Sequence, residues 1–174
     1  FSGGFTFDAV STVLQVEDAA ELLDDLTGLV ELSLIKSQPG QGEIRFHMLE
    51  TIRQICMGRL QHSDVVPGAH RRLDELTIAH AQYYSSLATD CGRRLLTSGE
   101  AEVWTRVDAE GNNIRSAFEN LLEGGHYREA SEIVIRLAWF ATFSMRMELF
   151  GWASRLLDVP ELESSAELWA VHSI

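Results

Sequence analysis

Residues 33–47 read SLIKSQPGQGEIRFH, and this stretch decides the fold of the first third of the chain. Residues 33–37 and 43–47 have the alternating pattern of short strands, in which Ile44 and Phe46 face one side and the polar residues between them face the other. The breaker-rich segment QPGQG separates the two runs, as in a β-hairpin. An isolated hairpin is only marginally stable in water, so we expect this one to pack against neighbouring helices.

Helical patterns flank the hairpin on both sides. Residues 17–32 carry leucines at helical spacing, and Asp18 with Glu21 suits a capped start. A shorter helix is expected at 7–14. After the hairpin, apolar residues at helical spacing predict a helix with a buried face made of Leu49, Ile52, Ile55, Cys56 and Leu60. Three helices around one hairpin predict a winged-helix module over residues 1–62.

The remainder of the chain, residues 63–174, predicts helices in series. A short linker at 63–68 leads into a long amphipathic helix at 69–94, and the Gly124-Gly125 pair suits a helix C-cap. Further helices are expected at 100–109, 112–123, 126–143, 147–158 and 162–174. Such helices, joined by tight turns, are typical of a tetratricopeptide-like solenoid, which we expect to be truncated at its C-terminal end. The predicted fold class is therefore mainly α: a winged-helix module with one β-hairpin, followed by an α-helical solenoid.

The charge balance argues against nucleic acid as a partner. The chain carries 26 acidic and 14 basic residues and a net charge of −12. Residues 1–62 hold nine acids and four bases, and the helix at 19–31 has acids but no base. Because DNA binding needs clustered Lys and Arg, direct contact with nucleic acid is not expected. Without an apolar run long enough to cross a bilayer, no membrane partner is expected. The two cysteines form no metal-type or redox-type pair, which is consistent with a reducing cytoplasm, and a cytoplasmic location is predicted.

The sequence contains no motif for catalysis, metal or cofactor. Its single lysine, Lys36, lies in the hairpin, so a phosphate-binding Gly-Lys-Ser/Thr loop cannot be present. The six histidines include no pair at i, i+4, and His80 lies in an apolar helix stripe where a structural role is expected. The two cysteines, Cys56 and Cys91, are far apart, and a buried free thiol is predicted for Cys56.

One aromatic pair stands out in the second half of the chain. Trp139 and Phe140 are adjacent on a predicted helix, so their side chains point about 100° apart. One of them could then face a partner, and we take Trp139 and Phe140 as the candidate partner surface.

Four strings of the sequence together resemble a known group. They are FSGGFT at 1–6, LTGLVELSLI at 26–35, RFHMLETIRQI at 45–55 and DAEGNNIRSA at 108–117. They are similar to the region that follows the ATPase core in STAND-type ATPases of LuxR-type and AfsR-type transcriptional regulators, some of them fused to a class III adenylyl cyclase. The resemblance covers nearly the whole chain and is carried mainly by residues 1–60 and 108–118.

This resemblance implies a part in a nucleotide-dependent switch. In the family, the winged-helix domain packs on an ATPase core that binds ATP or ADP, and the helical repeats sense an inducer or a protein partner. A Met-His-Asp string after the wing contacts ADP in related proteins, and the matching positions here are Met48, Leu49 and Glu50. The chain departs from the family at Leu49, which cannot donate a hydrogen bond to phosphate.

The main hypothesis is therefore a non-catalytic regulatory and protein-interaction segment of a bacterial STAND regulator. It would hold no cofactor itself, and its partners would be an intramolecular ATPase core and an unknown inducer or protein. The alternative hypothesis is a DNA-binding winged-helix domain of a transcription factor. A salt-dependent shift of DNA by the chain alone would favour the alternative.

Overall fold

The computed structural model describes residues 1–40, 42–62, 69–95, 100–144, 147–162 and Val171. The prediction of a mainly α protein is confirmed, with a small antiparallel sheet near the N-terminus. The chain divides into two compact units, unit 1 at Phe1–His80 and unit 2 at Ala81–Ile174. The predicted linker at 63–68 lies outside the described residues, so the boundary after residue 62 stays a prediction.

Unit 1 combines the small sheet with short helices. Its elements follow the order β1 (Phe5–Thr6), α1 (Phe7–Leu14), α2 (Ala19–Glu31), β2 (Ile35–Pro39), β3 (Ile44–Met48) and α3 (Glu50–His62). The described strands pair antiparallel in the order β1-β3-β2, so the predicted hairpin is the β2–β3 pair. Its helix α4 (Ala69–Arg94), as long as predicted, continues into unit 2.

Side chains cap the first two helices. The hydroxyl of Thr6 accepts a hydrogen bond from the Ala9 N–H at 3.2 Å, which starts α1. The carboxylate of Asp18 accepts from the N–H groups of Ala20 and Glu21 at 2.9 and 3.3 Å, which starts α2. Each such cap contributes about 1 kcal/mol. The predicted capping role of Asp18 is confirmed.

Strand β1 was not predicted from the sequence. Phe5 pairs with Phe46 across the sheet, and their rings stack with centroids 5.7 Å apart. Gly4 has a φ of +79°, and a Cβ at this position would lie 2.5 Å from the His47 ring. Only glycine therefore lets the chain enter β1 so close to β3. Two residues are too few to show strand alternation, so the sequence pattern alone does not predict β1.

The predicted buried face of α3 is wrong. Leu49 is 46% exposed, Ile55 is 58% exposed, and Leu60 and Cys56 are exposed as well. Ile52 is half-buried. Apolar spacing identifies the face of a helix that suits burial, but it does not guarantee that a neighbour covers that face. The thiol of Cys56 is accordingly exposed, and that of Cys91 is buried.

Unit 2 is built from α-helices in succession. The C-terminal part of α4 is followed by α5 (Glu100–Glu123), α6 (Tyr127–Ser144) and α7 (Met147–Leu157), with a short 3-10 turn at Pro160–Leu162. The helix predicted at 162–174 falls almost wholly outside the described residues. The turn between α5 and α6 confirms the predicted glycine cap: Gly125 has a φ of +75°, and the His126 N–H donates to the Leu121 carbonyl at 2.8 Å.

Helix α5 corrects the prediction of two helices at 100–109 and 112–123. It runs unbroken through Gly111, with Val107, Glu110 and Ile114 buried on one face. A glycine inside a helix costs about 1 kcal/mol relative to alanine, which tertiary packing readily offsets.

Helices of unit 2 also contact the helix after next. Arg155 of α7 pairs with Glu119 of α5 at 2.6 Å, and Trp152 stacks on Phe118 with ring centroids 4.7 Å apart. Helix α4 lies against α6, since a Cβ on Gly92 would overlap the Arg136 backbone. The most extensive helix packing in unit 2 is between consecutive helices, α5 with α6 and α6 with α7.

Candidate functional site

The candidate nucleotide-sensor position lies where β3 ends and α3 begins. Met48 is the last residue of β3, pairs with Ile35 and is half-buried. Leu49 follows as an exposed apolar residue, and Glu50 opens α3. The three residues are therefore adjacent on an accessible edge of unit 1.

The carboxylate of Glu50 is held by its own helix. It accepts hydrogen bonds from Arg53 Nε at 2.8 Å, Arg53 Nη2 at 2.7 Å and Gln54 Nε2 at 3.0 Å. These hydrogen bonds, chiefly those from Arg53, lower the pKa of Glu50 to about 2. Neither the ionised side chain of Glu50 nor the side chain of Leu49 offers a hydrogen-bond donor to a phosphate.

Helix α2 presents an acidic outer surface. Residues 1–35 contain seven acids and no Lys or Arg, and the four acids within α2 are all exposed. The buried side of α2 consists of Leu22 and Leu26. A helix with this charge would be repelled by phosphates in a major groove.

An open apolar groove lies on the same unit. It has a volume of about 320 Å³ and is lined by Phe7, Leu23, Glu43, Ile44 and Phe46. Phe46 is buried, whereas Leu23 and Ile44 are 52% and 58% exposed. Sequence reasoning identified Ile44 and Phe46 as one face of a strand but did not predict that part of this face would stay open.

The structure separates the two residues proposed as a partner surface. Phe140 is only 1% exposed and packs on Trp104, with ring centroids 4.6 Å apart. Trp139 is 54% exposed, and its ring stacks with that of Phe143 at 5.8 Å. Phe140 is thus a core residue, and the exposed aromatic pair on α6 is Trp139 with Phe143, one helical turn further on.

A buried polar cluster joins α4 to α5. Glu110 Oε2 accepts hydrogen bonds from the Tyr84 hydroxyl at 3.1 Å and from Asn113 Nδ2 at 2.8 Å, and the three residues are buried. The sequence indicates Glu110 and Asn113 only through the DAEGNNIRSA string. Burial raises the pKa of the neighbouring Cys91 thiol, which favours the protonated, unreactive form.

Other polar residues make local structural contacts. His80 is buried, and its ring meets that of Phe1 edge-on at 5.1 Å. Local ion pairs form between Arg71 and Glu75 at 3.4 Å and between Arg94 and Asp90 at 3.8 Å. Among the described residues, no group of three His, Cys, Asp or Glu side chains could hold a metal ion. None of the helices in the described ranges combines the length and apolarity that a membrane span requires.

Comparison with known proteins finds relatives in mycobacteria. Proteins of Mycobacterium tuberculosis and Mycobacterium bovis that carry the provisional name HTH-type transcriptional regulator are 32% identical to this chain over 162 residues. The alignment covers 91% of this chain but only 17% of each relative, so the chain spans about a sixth of their length. No family model and no solved structure matches the chain.

Proposed function

We propose that this chain is a non-catalytic regulatory segment of a transcriptional regulator, in which unit 1 docks on another domain of the same polypeptide. The observation that carries this proposal is an exposed apolar face formed by Leu49, which precedes α3, and by Ile55, Cys56 and Leu60 of α3. An apolar face at helical spacing is suited to burial, and an exposed one commonly marks an interaction surface.

The mycobacterial relatives support the regulatory part of this proposal. Their provisional name concerns transcription, and the segment they share with this chain lies within much longer proteins. The family resemblance supports the finer part, in which the docking partner is a STAND-type ATPase core that binds ATP or ADP. In that arrangement Met48, Leu49 and Glu50 lie at the edge of the docked surface.

The segment itself performs no chemistry in this proposal. The nucleotide belongs to the ATPase core of the parent protein, and this chain supplies contacts that favour one state of the switch. Unit 2 receives the signal, from an inducer or a protein partner, and the exposed ring of Trp139 is its candidate contact. A ligand can shift such a switch only through a difference in affinity between its two states.

Cys56 provides a natural probe of the proposed contact. Its thiol lies on the exposed face of α3, so a maleimide should label it readily in the 174-residue chain. In the full-length protein with ADP, labelling should slow, and exchange of ADP for a non-hydrolysable ATP analogue should change the rate. Equal labelling of the isolated chain and of both nucleotide states of the full-length protein would overturn the proposal.

A second candidate function is direct DNA binding. Two observations favour it: the relatives are named HTH-type regulators, and α1 and α2 precede the β2–β3 hairpin, as in winged helix-turn-helix domains. The acidic surface of α2 opposes it. Fluorescence anisotropy of a labelled duplex at low salt distinguishes the two. We expect no binding, whereas binding that weakens steeply as salt rises would favour this second function.

A further inference from the structure

The apolar groove of unit 1 is a surface separate from the face of α3. It is lined by residues of α2, of β3 with the residue before it, and of the start of α1. Four of the five lining residues are apolar. Apolar residues of the sheet and of α2 thus line a space that the described residues leave open.

The groove carries a bias in charge. Glu43 is an exposed member of its lining, and the lining residues Phe7 and Leu23 are each followed in the chain by an exposed acid, Asp8 and Asp24. A basic group beside the groove would therefore be attracted, and an acidic one repelled. The occupant that suits this setting combines apolar side chains at helical spacing with flanking Lys or Arg.

The length of the relatives indicates where such a helix could come from. In those proteins the matched segment is 17% of the chain, so most of the polypeptide lies elsewhere. A tethered helix reaches the groove at a high effective concentration, and it needs less intrinsic affinity than a separate protein would.

We propose that the groove formed by Phe7, Leu23, Ile44 and Phe46 is covered by an amphipathic helix with basic residues on its flanks, which belongs to the same polypeptide and lies outside these 174 residues. This inference rests on the proposed function in one respect only, that the chain is part of a longer regulator. It adds a second intramolecular contact, which completes the core of unit 1 and does not depend on nucleotide.

The test compares thiol labelling at the groove in two settings. Ile44→Cys places a thiol on the groove wall, and Lys36→Cys places one on the opposite face of the same hairpin. Mass spectrometry of the individual peptides separates these sites from Cys56. Labelling at position 44 should be slower by about an order of magnitude in the full-length protein than in the 174-residue chain, and labelling at position 36 should be unchanged. Equal rates at position 44 would overturn the proposal.

A photo-crosslinking amino acid at Leu23 identifies the occupant. In the full-length protein we expect an intramolecular cross-link to a peptide with apolar residues at helical spacing and at least one Lys or Arg. A cross-link to a second copy or to a separate protein, or to a peptide without a basic residue, would overturn the proposal. Suppose that position 44 is protected in the full-length protein, whereas Cys56 is labelled equally fast with ADP and with the ATP analogue. This result would support the groove inference and reject the proposed switch.

Discussion

The hydroxyl of Tyr84 on α4 donates a hydrogen bond to Oε2 of Glu110 on α5, across 3.1 Å within a part of unit 2 closed to solvent. Asn113 donates to the same oxygen at 2.8 Å. A buried carboxylate is costly unless it is hydrogen-bonded, so these donors are needed to keep Glu110 in the core. The cluster fixes the register between α4 and α5 in a way that apolar packing alone would not.

We expect Tyr84→Phe to lower the free energy of unfolding by about 1–3 kcal/mol, because Glu110 then loses a donor while remaining buried. Urea unfolding followed by circular dichroism measures the change. Tyr127→Phe at the half-buried start of α6 is the matched control, with an expected change below about 0.5 kcal/mol. A Tyr84→Phe variant as stable as the original chain would show that the bond contributes nothing.

The sequence predicted this region only in part. The buried face of α5 has the expected spacing through Val107 and Ile114, but Glu110 lies on the same face and would ordinarily be assigned to solvent. Its burial depends on Tyr84, which is 26 residues away in the chain. A local pattern carries no information about such a partner.

At α3 the sequence pattern instead predicts burial for apolar residues that are exposed. Leu49, Ile55 and Leu60 have the spacing of a buried face and were predicted to be buried, yet they are exposed. For Trp139 and Phe140, adjacent positions on a helix point in different directions, and the sequence does not tell which of the two faces solvent. The hairpin and the caps were predictable because turn and cap residues act on their immediate neighbours.

The close approach of α4 to α6 at Gly92 gives a second prediction. Gly92→Ala should destabilise the chain by about 1–3 kcal/mol, because the added methyl group meets the Arg136 backbone and forces the helices apart. Gly151→Ala is the control, since its Cβ would enter open space on α7. That variant should gain up to about 1 kcal/mol from helix propensity. If thermal unfolding shows that both substitutions stabilise the chain, the close approach is incorrect.

The two tryptophans of α6 and α7 should respond differently to truncation. Trp152→Ala should cost about 3–5 kcal/mol, because the ring is buried against Phe118. Trp139→Ala should cost less than about 1 kcal/mol, because more than half of its side chain is exposed. Chemical denaturation of the two variants measures the difference. A large loss of stability in Trp139→Ala would exclude this residue as a free contact surface.

The ion pair at the start of α3 leads to a prediction about pH. The pKa of Glu50 is lowered from 4.5 to about 2, chiefly by hydrogen bonds from Arg53. A carboxylate whose pKa is lower in the folded state stabilises the fold above its unfolded pKa, and this contribution is lost as the pH falls from about 4.5 towards 2.

Arg53→Gln should move the pKa of Glu50 back towards 4.5, and side-chain carboxyl chemical shifts in an NMR titration measure it directly. Arg59→Gln, on the same helix, should leave the pKa of Glu50 near 2, which separates the contact with Arg53 from a general change in helix charge. If the pKa of Glu50 stays near 2 in Arg53→Gln, the hydrogen bonds from Arg53 are not what lowers it.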